Sequence, residues 1–165
     1  MVRGAQEIRI KHLQEEDWRE WRLLRLAALA EAPYAFSSGL EDWVGPGDRE
    51  ERWRSRFRSI PFNAIATLGG TPAGMVGATA PSNGESELIS MWVAPRARGN
   101  GVGGALITAV ADWARNQGAT TLALDVRAAN AHAIALYLRH GFLDTGRSPS
   151  GTDTLPEIRM SKSLL

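Results

Sequence analysis

Between an apolar run ending at Val93 and an alanine-rich stretch beginning near Val102 lies Arg96-Ala97-Arg98-Gly99-Asn100-Gly101-Val102-Gly103-Gly104, two arginines and four glycines in nine residues. A strand that enters a helix through such a turn leaves backbone N–H groups unpaired at the helix start, where the helix dipole also favours negative charge. Glycines let that backbone approach a ligand without a Cβ in the way. Phosphate is the natural ligand of this arrangement, and Arg96 and Arg98 can neutralise a diphosphate. A chain built around a strand, an anion-binding turn and a helix belongs to the α/β or α+β class.

The rest of the chain is read outward from that turn. Gln6 to Leu13 alternates around Ile8 and Ile10 as a half-buried strand does, and Glu15-Glu16-Asp17 then suits the N-terminus of a helix running to about Glu31. Trp18, Trp21, Leu24 and Ala28 recur at helical spacing and read as core. Pro33 to Pro46 is loop chemistry carrying Tyr34, Phe36 and Trp43, large side chains suited to the wall of a pocket. Asp48 with Glu51 resembles a capping box for a short second helix, whose Arg52, Arg54, Arg56 and Arg58 read as a solvated face.

Short apolar runs at Phe62 to Leu68 and Ala73 to Ala80 flank Gly69-Gly70-Thr71-Pro72, a hairpin signal, and a third run, Glu87 to Val93, completes an antiparallel meander. After the glycine turn come a helix to about Gln117, a strand at Thr121 to Val126, a helix at Asn130 to His140, and strands near Phe142 to Thr145 and Glu157 to Met160. The order is βααβββαβαββ. No repeat or linker divides it, so residues 1–165 read as one domain.

Composition narrows the partners. Nineteen basic against eighteen acidic residues give a formal charge of +1, leaving no global field for nucleic acid or an anionic membrane. The absence of cysteine excludes disulfides, thiolate metal sites and a cysteine nucleophile, and suits a reducing compartment. His12, His132 and His140 lack metal-ligand spacing, so no metal is expected, and each reads as an exposed polar residue. Met1 to Gln6 carries no apolar signal core. The expectation is a cytoplasmic protein.

Gly99-x-Gly101-x-x-Gly104 also fits the dinucleotide fingerprint, with Asp125 near the distance at which an acid would hold a ribose. Three strands precede the turn, however, and only 61 residues follow Gly104, too few for the rest of a dinucleotide fold.

Val93-Ala94-Pro95 leading into Arg98-Gly99-Asn100-Gly101-Val102-Gly103 resembles the acetyl-CoA pyrophosphate loop of the GNAT (Gcn5-related N-acetyltransferase) superfamily, whose pattern is Arg/Gln-x-x-Gly-x-Gly/Ala. Asn130-x-x-Ala133-x-x-Leu136-Tyr137-x-x-x-Gly141-Phe142 is similar to that superfamily's second motif. The resemblance implies a mixed sheet of about seven strands flanked by about four helices and splayed open at the fourth strand. It further implies acetyl-CoA as donor, held by Met91, Trp92 and Val93, by Arg98, Gly99, Asn100, Gly101, Val102, Gly103 and Gly104, and by Asn130. The implied reaction is direct acetyl transfer to a primary amine of a small molecule or a peptide, in a ternary complex.

Within that resemblance Glu87 falls where some members place a general base, acting directly or through water; the competing reading is a solvated charge at a strand start. Tyr137 matches the tyrosine that protonates the CoA sulfur, with helix packing beside Ile134 and Leu138 as its alternative. Asn130 caps its helix on either reading. Tyr34, Phe36 and Trp43, with the Ser148-Pro149-Ser150-Gly151 turn, are expected to line the acceptor pocket. Homodimers are common in that superfamily, though nothing in this sequence requires one. The rival from another functional class is an acyl-CoA-binding regulatory domain without turnover, against which the presence of both Glu87 and Tyr137 argues.

Overall fold

The computed structural model describes residues 5–36 and 39–165. One seven-stranded sheet carries the elements in the order expected: β1 (Ile8–His12), α1 (Trp18–Glu31), α2 (Glu50–Ser59), β2 (Phe62–Leu68), β3 (Thr71–Ala78), β4 (Glu85–Val93), α3 (Val102–Asn116), β5 (Thr121–Arg127), α4 (Ala131–Arg139), β6 (Leu143–Arg147) and β7 (Glu157–Ser163). Ser37 and Ser38, inside the loop expected to line a pocket, lie outside the described residues.

The strand order is β1-β2-β3-β4-β5-β7-β6. Every neighbouring pair is antiparallel except β4 and β5, which are parallel because α3 carries the chain between them. The helices cover both faces, as two glycines of β3 show. A Cβ on Gly74 would meet Val102 and Leu106 of α3, whereas one on Gly77 would meet Arg56 of α2. Three residues apart on a strand, the two positions look to opposite sides.

Each helix covers its face with a stripe set by its sequence. In α3, Val102, Leu106, Ile107, Val110, Ala111 and Ala114 are buried at i, i+4, i+5 and i+8 spacing. Burying a side chain such as Leu106 or Ile107 contributes about 1.5–3 kcal/mol. In α1 the buried stripe runs Trp18, Trp21, Leu24, Arg25, Ala28, Leu29, so the tryptophans are core as expected and a charged residue shares their face.

The α2 start differs from the expected capping box. Arg49 is the N-cap and no side chain caps the helix. Asp48 instead accepts hydrogen bonds from Arg22 Nε at 2.7 Å and Trp53 Nε1 at 2.8 Å, tying α1 to α2. The Arg22 donor outcompetes a backbone amide, because a bond in which both partners are charged exceeds one with a neutral donor. Arg22 and Trp53 together hold the Asp48 carboxyl down at about 2.

The arginines of α2 also depart from a uniformly solvated face. Arg54 and Arg58 are surface residues paired with Glu50, Glu51 and Glu15. Arg56 is turned inward, lying over the Trp21 ring and donating to Asn63 Oδ1 and to Ser90 Oγ on β4. Among the described residues no helix is long and apolar enough to cross a membrane.

Candidate functional site

The parallel β4–β5 ladder is short. It pairs Glu85 with Thr121, Ser86 with Leu122 and Glu87 with Ala123, and then the strands part. Beyond that point the facing edges of both strands lack a ladder partner, an arrangement that buried backbone tolerates only where a ligand or solvent satisfies it. The gap is a cleft of about 590 Å³. Met91, Trp92 and Val93 line it from β4, Leu124, Asp125 and Val126 from β5, the glycine turn closes one end, and Asn130 and Tyr137 face it from α4.

A distortion in β4 helps to open the cleft. Pairing with β3 slips between Ile89 and Trp92, leaving Ser90 and Met91 opposite the single residue Val76. Ser90 takes a φ of +57°, unusual for a residue with a side chain. Such a bulge bends a strand and re-aims its side chains, and strained backbone of this kind clusters at functional sites. Arg56, through its bond to Ser90 Oγ at 3.0 Å, fastens the bulge from behind.

At the glycine turn, Gly101 caps α3 with a φ of +87°, a conformation that favours glycine. Gly104 is needed for a different reason, since a Cβ there would stand 2.6 Å from His140 Nε2. Both keep backbone exposed to the cleft at the positive end of α3. Asn100 turns its amide back to the carbonyls of Ala97 and Arg98, bracing the turn while its side chain stays off the cleft wall.

The arginines of the turn do not play the free role expected of them. Arg98 donates to Glu31 Oε2 at 2.9 Å and to the Val93 carbonyl, and Glu31 also accepts from Trp92 Nε1. Arg96 donates to the Pro72 carbonyl and is absent from the cleft wall. Glu31, already matched to Arg98, takes up the charge expected to face a diphosphate, so the charge left unmatched on the cleft side of the turn is that of its backbone amides. His132 and His140, read from sequence as exposed polar residues, line the cleft together with Arg139; His132 is exposed as expected and His140 is half-buried. His140 is anchored by Nδ1 on the Leu136 carbonyl at 2.9 Å, one helical turn earlier.

Tyr137 is 6% exposed, packs edge-on against Phe142 and faces the cleft. Burial alone pushes its phenol above the ordinary tyrosine value, so the hydroxyl keeps its proton. Asn130 caps α4 as expected, its Oδ1 accepting from Ala133 N at 3.2 Å.

The acceptor-side residues divide. Tyr34 and Phe36 line the cleft. Trp43 does not: it stacks on Trp53 at 4.6 Å and under the Arg52 guanidinium, because α2 offers it a flat partner. Glu87 is also off the cleft wall, bordering a shallow depression with Thr79, Ser82, Asn83 and Glu85. Its carboxylate meets Arg159 at 3.0 Å, and Arg159 also binds Glu85 and Asp125. The sequence reading missed that Asp125 joins this network to the cleft. Its Oδ2 accepts from Arg159 and Ser150, while buried Oδ1 has no partner among the described residues.

A splayed parallel pair, a bulged β4 and a glycine turn at the start of α3 coincide with a match of residues 10–142 to the model of the Acetyltransferase (GNAT) family. The chain belongs to that family. A curated relative, an IAA acetyltransferase of Azospirillum brasilense, is 38% identical over 103 residues, which are 61% of this chain and 66% of the relative. The aligned part thus spans just under two thirds of that relative's length. Among solved structures, a GNAT-family acetyltransferase from Streptococcus pneumoniae superimposes with a TM-score of 0.74 at 22% identity, covering 95% of this chain and 99% of that one. The yncA protein of Salmonella typhimurium, solved with its cofactor acetyl-CoA, gives 0.74 at 20% identity, covering 96% and 95%. Those two likenesses are of fold. In this GNAT chain the fold places its sheet opening, its anion turn and its buried tyrosine in one cleft.

Proposed function

We propose that this chain transfers an acetyl group from acetyl-CoA to a primary amine by direct attack in a ternary complex. The observation that carries the reading is the cleft where β4 and β5 part, lined by the glycine turn and by Tyr137. Acetyl-CoA supplies an activated thioester, and the exposed amides of the Gly99–Gly104 turn suit its diphosphate. The unpaired edge of β4 from Met91 to Val93 suits the amide-bearing arm, with Asn130 across the cleft.

Three tasks fall to the protein's own groups. The cleft holds amine and thioester together, which converts a bimolecular encounter into an oriented one. A β4 backbone N–H can stabilise negative charge developing on the carbonyl oxygen. As the C–N bond forms and the C–S bond breaks, Tyr137, kept protonated by burial, gives its proton to the departing sulfur.

The amine must also lose a proton. Glu87 stands outside the cleft wall, so its part in that loss runs through water, with Arg159 joining it to Asp125 at the wall. Tyr34 and Phe36 give the acceptor an aromatic surface.

Release of free CoA thiol, followed with acetyl-CoA and a panel of amines, tests the reading. Amine-dependent release supports it. Tight CoA binding with no thiol release from any amine would leave the chain as an acyl-CoA-binding domain.

A further inference from the structure

Arg25, buried, and Arg56, half-buried, are neighbouring cations with no anion among the described residues. Arg25 lies on the buried stripe of α1, 8% exposed, with its guanidinium over the Phe36 ring at 4.6 Å. One turn earlier on the same stripe, Trp21 carries the Arg56 guanidinium on its ring at 4.7 Å. Arg56 bonds only to the neutral oxygens of Asn63 and Ser90, and Arg25 Nη1 is buried with no partner among the described residues. No ion pair within 4.0 Å involves either residue among the described ones, and the six residues outside the description include no aspartate or glutamate.

Removing one guanidinium from water without a counter-charge is costly, and two side by side repel. Burial depresses both, Arg25 to about 10 and Arg56 to about 9, the latter also by the charge of Arg25. Aromatic faces offset part of that cost and cancel no charge. A buried cation left unmatched beside a cleft is a candidate site for a ligand that brings the anion.

The position of the pair says which ligand. Neither arginine lines the cleft itself; Phe36, under Arg25, and Ser90, bonded to Arg56, are the cleft-lining residues that stand between the pair and the cleft. They belong to the wall formed by the α1–α2 loop and the β4 bulge, whereas the glycine turn closes the cleft elsewhere. A donor diphosphate is already served by that turn, so the unmatched cations answer to the other substrate. We propose that the acceptor is an amine that also carries a carboxylate, and that Arg25, entered between Phe36 and Ser90, binds that carboxylate. Arg56 positions Arg25 by repulsion and by holding the Ser90 bulge. The inference rests on the acetyl-transfer reading for its substrate, though the anion site itself is measurable without turnover.

The test uses the common free amino acids and their amides as acceptors, each pair differing only in carboxylate against carboxamide. Arg25→Gln removes the charge and Arg25→Lys keeps it. A hydrogen-bonded charge pair of this kind corresponds to at least about a tenfold preference for acid over amide in kcat/KM. The preference should disappear in Arg25→Gln through a rise in KM for the acids, and return in part in Arg25→Lys. Calorimetric titration of the same acids into the full chain loaded with CoA reads the site independently of chemistry. Melting temperature serves as the folding control, and Arg25→Gln should melt no lower than the parent, since an uncompensated charge is lost. Equal use of acids and amides by the parent, or a preference that survives in Arg25→Gln, overturns the proposal. Carboxylate binding without any thiol release would overturn the acetyl-transfer reading and leave the anion site standing.

Discussion

The two walls of the cleft are made in different ways. The wall proposed for the donor, formed by β4, the glycine turn and the start of α3, is backbone: parted strand edges, exposed amides, and glycines where a side chain would intrude. The wall proposed for the acceptor is lined by Tyr34 and Phe36 and backed by α1 and α2, whose layer is side chain on side chain. Arginines there lie on Trp21, Phe36 and Trp43, and Asp48 ties Arg22 to Trp53. Backbone sites tolerate change in most residues and fail abruptly at the few positions where the chain must be bare. Side-chain sites lose function by degrees and can be re-specified, which suits a wall that chooses among acceptors.

The sharpest way to break this contrast is at Gly101. Gly101→Glu sets a carboxylate against the anion turn at a φ of +87°, and CoA affinity should fall by at least about a hundredfold in calorimetry while circular dichroism stays native. Gly101→Ala carries only the backbone cost of about 1 to 2 kcal/mol and should keep most of that affinity. If alanine and glutamate behave alike, conformation rather than ligand approach makes the position glycine.

Next in size is Tyr137, the one side chain of the donor side to which chemistry is assigned. Tyr137→Phe should lower turnover by at least about tenfold in steady-state kinetics, with little change in CoA affinity. A near-parental rate would return the tyrosine to packing against Phe142. Stability supplies a second readout. Burial raises the folded phenol above its ordinary 10.0, so the stability from keeping it neutral is full below that pH and declines as pH climbs past it. Alkaline melts of the phenylalanine variant should lack that decline.

If Glu87 assists as proposed, Glu87→Gln should have a smaller effect, about three- to tenfold on turnover at moderate pH, because its carboxylate stands outside the cleft wall. The deficit should shrink at high pH, where the free amine is abundant. A pH–rate profile superimposable on the parent's would confine Glu87 to its ion pair with Arg159.

The smallest expected effect tests the acceptor wall as structure. The Asp48 carboxyl is lowered from 3.8 to about 2, so its stabilisation is present above the unfolded value and lost as pH falls through the folded one. Asp48→Asn should melt a few degrees lower at neutral pH, and parent and variant should converge as pH approaches 2. CoA titration of the variant should match the parent, since the residue ties α1 to α2 and does not line the cleft.

How far each wall could be read in advance follows from the same contrast. The donor turn is contiguous, and its glycines, its helix start and the strand before it are neighbours in the chain, so Arg96 to Gly104 announces its ligand class. Even there Arg98 misled, because Glu31, its partner, is 67 positions away. On the acceptor wall Arg25 occupies a helical core position in the sequence, visible by its spacing from Trp18 and Trp21, yet its lack of an anion shows only once α2 and β4 surround it. Arg56 sits in a run of alternating arginines, and nothing local separates it from the solvated Arg54 and Arg58.

The amino-acid sequence by itself determined the order of elements, the core stripes of α1 and α3, the glycine turn and the cap at Asn130, because each depends on residues within a few positions of one another. The boundaries of β3 and β4, which begin two residues earlier than their apolar runs suggest, came from pairing with neighbouring strands. Tertiary structure alone decided where β4 and β5 part, that Trp43 stacks on α2 while Phe36 meets the cleft, that Glu87 stays behind Arg159, and that Arg25 is buried, with Arg56 half-buried beside it, without a counter-charge among the described residues. Those outcomes depend on which side chains meet across the sheet and between helices, and burial and charge compensation take their values only when distant segments are packed together.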